Sequence, residues 1–297
     1  MRALLTHLLT RPDPQSTFDS FWAATRSLRA SFTNPTERAV ALGYHADRLG
    51  FAFLGGYASA MTRLDPTLGP DDLGALCATE DGGAHPKSIQ TSLSSGRLRG
   101  TKRFVSGGRF ATRLLVVASE GASDDGRNRL RVVRVDPKAP GVTLQPMPDL
   151  PFVPEIPHAS VELRDVAVRA EDLLPGDGYS DALKAFRTLE DLHVHAALLG
   201  YLASVARRHD WPPQAQEQIF AAIAAAVALG SADPSQPGTH LALAGLLDST
   251  GQILFDADAL WSAGDERTRF VRDLPLLKVA SKAREARRTK AWAALAR

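Results

Sequence analysis

Cysteine is almost absent: Cys77 is the single one among 297 residues. An intramolecular disulfide is therefore excluded, and a lone thiol fits a reducing compartment. Its neighbours Leu76 and Ala78 favour a packed strand position over a reactive one. An excess of charge of one sign is lacking too. Lys and Arg total 35 against 33 Asp and Glu, for a net charge of +2, which gives no whole-chain argument for nucleic acid or an anionic membrane surface. No apolar run approaches the ~20 residues that span a bilayer. The most apolar one, residues 219–229, is expected to be a buried core helix. The start of the chain has Arg2 and a short Ala-Leu-Leu run broken by His7. No long apolar stretch or small-residue cleavage site follows, so no export signal is read there and a cytoplasmic protein is expected. Internal repeats, low-complexity tails and metal-ligand motifs are absent as well.

What is present is a hydrophobic content of 44%, ample for a core in a chain of this length. Phe18, Phe21, Trp22 and Thr25 recur at helical spacing, and Pro35-Thr36-Glu37 reads as a cap with first-turn chemistry. Helices are expected near 37–48 and 52–63, the latter ending before Asp65-Pro66. The Gly55-Gly56 pair inside it implies close approach to another backbone or a helix break. Residues 76–119 then change period: short strand-like segments are separated by Asp81-Gly82-Gly83 and Ser106-Gly107-Gly108. A polar turn at 121–128, an alternating strand at 130–135 and a proline-rich connection at 137–157 follow. The helical period returns after Pro175-Gly176-Asp177-Gly178. Its strongest stretch is 182–208, with others near 214–229, 240–258 and 274–295. Three regions are expected: helical at 1–70, β at 71–177 and helical at 178–297.

Three pieces of this middle region occur in a characteristic order. They are Thr79-Glu80-Asp81-Gly82-Gly83-Ala84, Gly100-Thr101-Lys102-Arg103-Phe104-Val105-Ser106-Gly107-Gly108, and Pro140-Gly141-Val142 with the strand at 161–168 and Glu171-Asp172-Leu173-Leu174. Together they resemble the acyl-CoA dehydrogenase family, over residues 50–200 well and at both ends poorly. The resemblance implies an α+β fold with a short N-terminal helical region, a central antiparallel β-barrel-like domain and a C-terminal helical bundle. It also implies FAD as cofactor and an acyl-CoA or related acyl thioester as substrate.

In that family a glutamate removes the α-proton of the thioester while the flavin takes the β-hydrogen as hydride. The resemblance places Cys77 and Thr79 beside the flavin ring, and Phe104 with Ser106 on the flanking segment. A threonine hydroxyl suits a ring edge that both donates and accepts hydrogen bonds, although the residues alone equally allow Thr79 and Ser106 to end strands. Ala84-His85-Pro86 replaces the family's Gly-Ser-Asp triplet, so His85 stands where a small hydroxyl residue would line the cofactor or thioester region. As an isolated loop histidine it fits an exposed or structural place just as well.

Two placements exist for the base. The commoner one lies eight residues beyond an Arg-Asp pair; here Arg272-Asp273 leads to Ser281, which has no basic group. The other lies in a Leu-Glu-Arg-Leu pattern ten residues before a glycine, and Leu189-Glu190-Asp191-Leu192 precedes Gly200 by that interval. Glu190 is therefore the candidate base, with Asp191 departing from the family's arginine; otherwise the two are an ordinary acidic first turn. The family's cofactor segments near the end are altered. Arg207-Arg208 retains an arginine for a phosphate but lacks the Phe-Gly that follows it in the family, and Gln252-Ile253-Leu254 has no glycine pair after it. Seven basic residues and one acidic residue lie in 278–297. They read as phosphate contacts or as a solvated helix face, without the stacking aromatics of a nucleic-acid channel.

The expected function is α,β-dehydrogenation of an acyl thioester, as in fatty acid metabolism, by a homodimer or homotetramer that passes electrons to a carrier protein. Two alternatives remain open at this point: a non-catalytic relative acting as an acyl-binding or partner subunit, and a flavin oxidase or monooxygenase on the same scaffold.

Overall fold

The computed structural model describes residues 1–124 and 126–296. Asp125 in the expected polar turn and Arg297, last of the seven basic residues, lie outside them. The chain forms two compact units. One comprises Met1–Arg63, Leu150–Glu155 and Arg187–Arg297; the other comprises Leu64–Asp149 and Ile156–Phe186.

The first unit is helical. It opens with α1 (Arg2–Leu8), α2 (Phe18–Ala24), α3 (Arg26–Ser31), α4 (Pro35–Tyr44) and α5 (Leu49–Leu64). Local chemistry sets the starts. The Asn34 side chain accepts from the backbone of Thr36 and Glu37, with Pro35 at the first helical position, and Thr17 forms a reciprocal capping box with Ser20. The unit continues with α6 (Lys184–Arg208), α7 (Pro213–Leu229), α8 (Pro237–Ala257), α9 (Asp265–Asp273) and α10 (Ser281–Leu295).

Helix α6 is the axis of this unit. Ala196, Ala197, Leu198, Leu199, Tyr201 and Leu202 have no exposed surface, and burial of each leucine is worth about 1.5–3 kcal/mol. Glycines let its neighbours approach. A Cβ at Gly56 would lie 2.6 Å from the His193 carbonyl oxygen and from the Val194 Cα, and one at Gly200 would lie 2.1 Å from the Val40 carbonyl oxygen. The Gly55-Gly56 pair therefore marks close packing, and α5 runs through it unbroken.

The second unit is built on a seven-stranded sheet: β1 (Gly74–Cys77), β2 (Ser92–Ser94), β3 (Arg97–Ser106), β4 (Arg113–Ala122), β5 (Asn128–Val135), β6 (Val142–Pro146) and β7 (His158–Ala167). The order is β1-β4-β2-β3-β7-β6, with β5 on β4. The core comes from alternate residues such as Val105, Leu114, Val116, Val133, Val161 and Leu163.

Three expectations need correction. The sheet is mixed rather than antiparallel, because β1 and β2 each pair with β4 in parallel. The proline-rich connection contains β6, which pairs with β7 from Val142↔Leu163 to Pro146↔Ala159. The stretch expected as one helix over 274–295 is a 3-10 turn at Leu274–Lys278 followed by α10, and α9 precedes it unannounced. Among the described residues no helix is long and apolar enough to cross a membrane.

Candidate functional site

In the β-unit the two most distinctive sequence pieces meet through a buried ion pair. Lys102 Nζ donates to Glu80 Oε1 at 2.6 Å, with no exposed lysine side-chain surface. The same carboxylate accepts from the backbone of Gln90 at 2.7 Å and of Thr91 at 3.0 Å. Burial would raise the Glu80 pKa, but Lys102 and the two N–H groups outweigh it and hold the carboxyl below its ordinary value. Gly100 completes the arrangement. It has φ +149°, and a Cβ there would lie 2.5 Å from Thr91 Oγ1. The spacing Gly100-x-Lys102 thus gives Thr91 room to hold Glu80 and supplies the ammonium that neutralises it.

This clamp fixes the neighbouring backbone. Arg103 N–H donates to the Thr79 carbonyl at 2.8 Å, so the segments bearing Thr79 and Phe104 lie side by side. Between Lys102↔Val161 and Val105↔Ala159 the β3–β7 register slips by one residue, a bulge of the kind that re-aims a side chain. Phe104 occupies it at φ +55°, an uncommon conformation for a bulky residue, and 51% of its surface is exposed. Its N–H points to Met147 Sδ at 3.3 Å. Ser106, two residues on and half-buried, pairs across the sheet with His158; His158 Nε2 lies 3.5 Å from Ser106 Oγ, and its Nδ1 is buried without a partner. Burial lowers the His158 pKa, so the ring is neutral at pH 7.

An exposed aromatic face with half-buried hydroxyls at Thr79 and Ser106 and an unsatisfied imidazole nitrogen nearby fits a planar heteroaromatic group with donors and acceptors on its edge. His158 carried no sequence signal, because its role depends on cross-strand register. Cys77 is different: its thiol is fully buried in the β-core, and burial pushes it up to about 12. Only its backbone is available to a ring outside the core. His85 is exposed, and its Nδ1 accepts from Lys87 N–H at 3.2 Å, capping the short turn Pro86–Ser88.

In the helical unit Glu190 lies on α6, half-buried. Its pKa is pushed up to about 7, first by burial and second by the Asp191 charge, with Arg284 and Arg187 drawing it back. Asp191, next to it, is neutralised from α10: Arg284 Nε donates at 2.8 Å and an Arg287 terminal nitrogen at 2.7 Å. The acidic residue in place of the family's arginine therefore has two basic residues opposite it, about ninety positions on.

The remaining candidates are engaged elsewhere. Arg207 donates to the Leu9 carbonyl at 3.1 Å; Arg208 forms a two-pronged pair with Glu266 at 2.9 and 2.5 Å, and His209 joins it at 2.9 Å. Gln252 donates to Asp256, one turn along α8. In the Arg272-Asp273 pair, Asp273 is fully buried and accepts from Val153 N–H at 2.7 Å, while Arg272 bridges Asp273 and Glu155. This pair anchors the segment 150–155 to α9. Ser281 donates to the Lys278 carbonyl. Among the described residues no group of three or more metal-ligating side chains occurs.

No protein-family model matches the chain, and no curated protein matches it in sequence. Solved structures do match in fold. Butyryl-CoA dehydrogenase from Megasphaera elsdenii aligns over 96% of this chain and 91% of its own at 16% identity, with a TM-score of 0.71. FMN-bound TdsC from Paenibacillus sp. A11-2 aligns over 86% and 85% at 16% identity, TM-score 0.65. An acyl-CoA dehydrogenase from Geobacillus kaustophilus aligns over 91% and 89% at 14% identity, TM-score 0.64.

Proposed function

From an acyl-CoA dehydrogenase fold, we propose that the chain is a flavin-dependent oxidoreductase that dehydrogenates an acyl thioester, with Glu190 as the base. The observation that carries this reading is the state of Glu190. Among the described residues no hydrogen bond or ion pair engages its carboxylate, and its pKa lies at about 7. A carboxylate of that basicity is matched to removing a weakly acidic α-proton near neutral pH. Asp191 and the arginines of α10 keep the local charge balanced, so Glu190 need not be neutralised by a direct partner.

A flavin bound on the β-unit supplies the two-electron acceptor for the β-hydrogen. Phe104 presents its exposed face to the ring, and the hydroxyls of Thr79 and Ser106 orient the polar edge. The Glu80–Lys102 clamp holds these groups in place before the cofactor arrives, which reduces the ordering cost of binding. FAD is the proposed flavin and acyl-CoA the proposed thioester. Arg208 is committed to Glu266, whereas Arg207 gives one N–H to the Leu9 carbonyl and keeps its Nε without a partner among the described residues, so Arg207 is the proposed contact for the adenine arm's phosphate. The proposed assembly is a homodimer or homotetramer; an apolar groove of about 770 Å³ along α7 and α8, lined by Ala221, Ala225 and Ala228 among others, supports burial of that face.

The test is a visible absorption spectrum of purified protein after incubation with FAD or with FMN and desalting, followed by anaerobic titration with acyl-CoAs. Retained flavin that bleaches with an acyl-CoA in the wild type, and not in Glu190→Gln, is expected. Loss of turnover in that variant should be about 10²- to 10⁴-fold. Unchanged bleaching in Glu190→Gln would overturn the base assignment, and a protein that retains neither flavin would overturn the cofactor.

A further inference from the structure

The helical unit contains a second pocket, open to solvent and of about 440 Å³, lined by α6, α8, the turn before α10 and α10 itself. Its walls are apolar at Leu247, Leu254, Leu274 and Leu277. One polar group from α6 reaches it: His195, with 4% of its surface exposed. The ring's Nδ1 lies 2.8 Å from the Asp191 carbonyl, and a carbonyl only accepts. Nδ1 therefore carries the proton, and Nε2 is a bare acceptor. Among the described residues Nε2 has no hydrogen-bond partner, and it is not sealed from the cavity. Burial first and the Arg284 charge second push this histidine down to about 4, so it is neutral at physiological pH. A neutral acceptor on the pocket wall is placed to take a hydrogen bond from a ligand that donates.

The mouth has the opposite character. Arg284 is held by Asp191, which it shares with Arg287, and by the Leu277 carbonyl at 2.6 Å. Arg288 pairs with Asp248 at 3.0 Å. Lys278 meets no carboxylate among the described residues, and Glu285 meets no base. Arg284 and Arg287 thus share Asp191, with Glu190 also within reach of the Arg284 charge, and Arg288 holds Asp248. Lys278 is the cation of the rim that has no carboxylate partner among the described residues.

We infer that this cavity binds a hydroxylated aliphatic carboxylate, its carboxylate on Lys278 beside Arg288, its chain against the four leucines and its hydroxyl donating to His195 Nε2. The volume lies in the range of small-molecule sites, with room for a short aliphatic chain between the two polar ends. The inference rests on residues of α6, α8 and α10 alone and is independent of any flavin.

Isothermal titration of the full chain at pH 7.5 with 6-hydroxyhexanoate, hexanoate and inorganic phosphate tests it. One 6-hydroxyhexanoate should bind per chain, and hexanoate at least about tenfold more weakly, because it leaves Nε2 unpaired. His195→Leu should abolish the preference between the two acids. Lys278→Glu, a change at an exposed side chain that leaves the fold intact, should weaken both about tenfold or more. Absence of heat with either acid at millimolar concentration, equal affinity for the two acids in the wild type, or phosphate binding as tight as the hydroxy acid would each overturn the assignment. Should His195→Leu fail to fold, the wild-type comparison of the two acids with Lys278→Glu decides.

Discussion

Replacing Lys102 with methionine removes the ammonium from the clamp and leaves Glu80 a buried carboxylate with two backbone donors. Removing one member of a buried ion pair costs about 3–5 kcal/mol, because the remaining charge is uncompensated. For a β-unit on the order of 100 residues, each kcal/mol moves the melting point by about 4–8 °C, so a fall of at least ~12 °C is expected. All four tryptophans, Trp22, Trp211, Trp261 and Trp292, belong to the helical unit. Their fluorescence therefore serves as an internal control, while amide exchange of residues 97–106 by mass spectrometry reads the β-unit directly.

The pH dependence has a definite sign. Glu80 is held below its ordinary 4.5, so its pairing stabilises the fold above that pH and the benefit disappears as pH falls through the lower folded value. Without Lys102 that benefit shrinks, and wild-type and variant stabilities should converge in acid. The double variant Lys102→Met/Glu80→Gln should show a coupling of about 1–3 kcal/mol relative to the two singles. A single-variant cost below about 1 kcal/mol, or strict additivity, would refute the view that this pair holds the bulge in place.

Gly56→Ala should destabilise the helical unit by about 1–3 kcal/mol in urea titrations followed by tryptophan fluorescence, since the new methyl meets the His193 carbonyl and Val194 Cα at 2.6 Å. If Glu190 is the base, turnover should rise with pH through a limb near 7. Asp191→Asn should move that limb to lower pH, because it removes a charge that raises the Glu190 pKa and releases Arg284, which lowers it; an unmoved limb in the pH–rate profile would assign it to another group. Asp273→Ala should free Val153 N–H and Arg272, with a loss of about 1–3 kcal/mol and faster amide exchange confined to the segment 150–155.

The β-unit was legible where short-range chemistry decides. Thr79-Glu80 and Gly100-x-Lys102 stand out as motifs, and each residue of the clamp except Gln90 and Thr91 lies within one of them. The Gly55-Gly56 pair announced close packing, and α6 was visible from its periodicity. Partners far along the chain were not legible. In the sequence Asp191 is simply an acidic residue where the family has an arginine; its partners Arg284 and Arg287 lie about ninety positions on. His158 gained meaning only from its register with Ser106. Helix α9 escaped notice because only Phe270 and Asp273 are buried in it, too few for an apolar stripe. Parallel pairing of β1 with β4 left no local trace, since no turn joins them. The site residues divide the same way: Phe104 was placed by its motif, whereas the commitments of Arg207 and Arg208 depend on Leu9 and Glu266, far away in sequence.

The segment Leu150–Glu155 packs with the helices although its neighbours on both sides belong to the β-unit. The chain therefore passes from one unit to the other at four points rather than two. Val153, buried and held at φ +43°, keeps that left-handed conformation beside an aspartate supplied by α9, so a recombinant fragment cut at residues 64 and 186 would carry a strained loop stripped of its anchor. Neither unit is a portable module: domain exchange with a structural relative would have to move Asp273 together with residues 150–155, and a boundary drawn from sequence order alone would separate them.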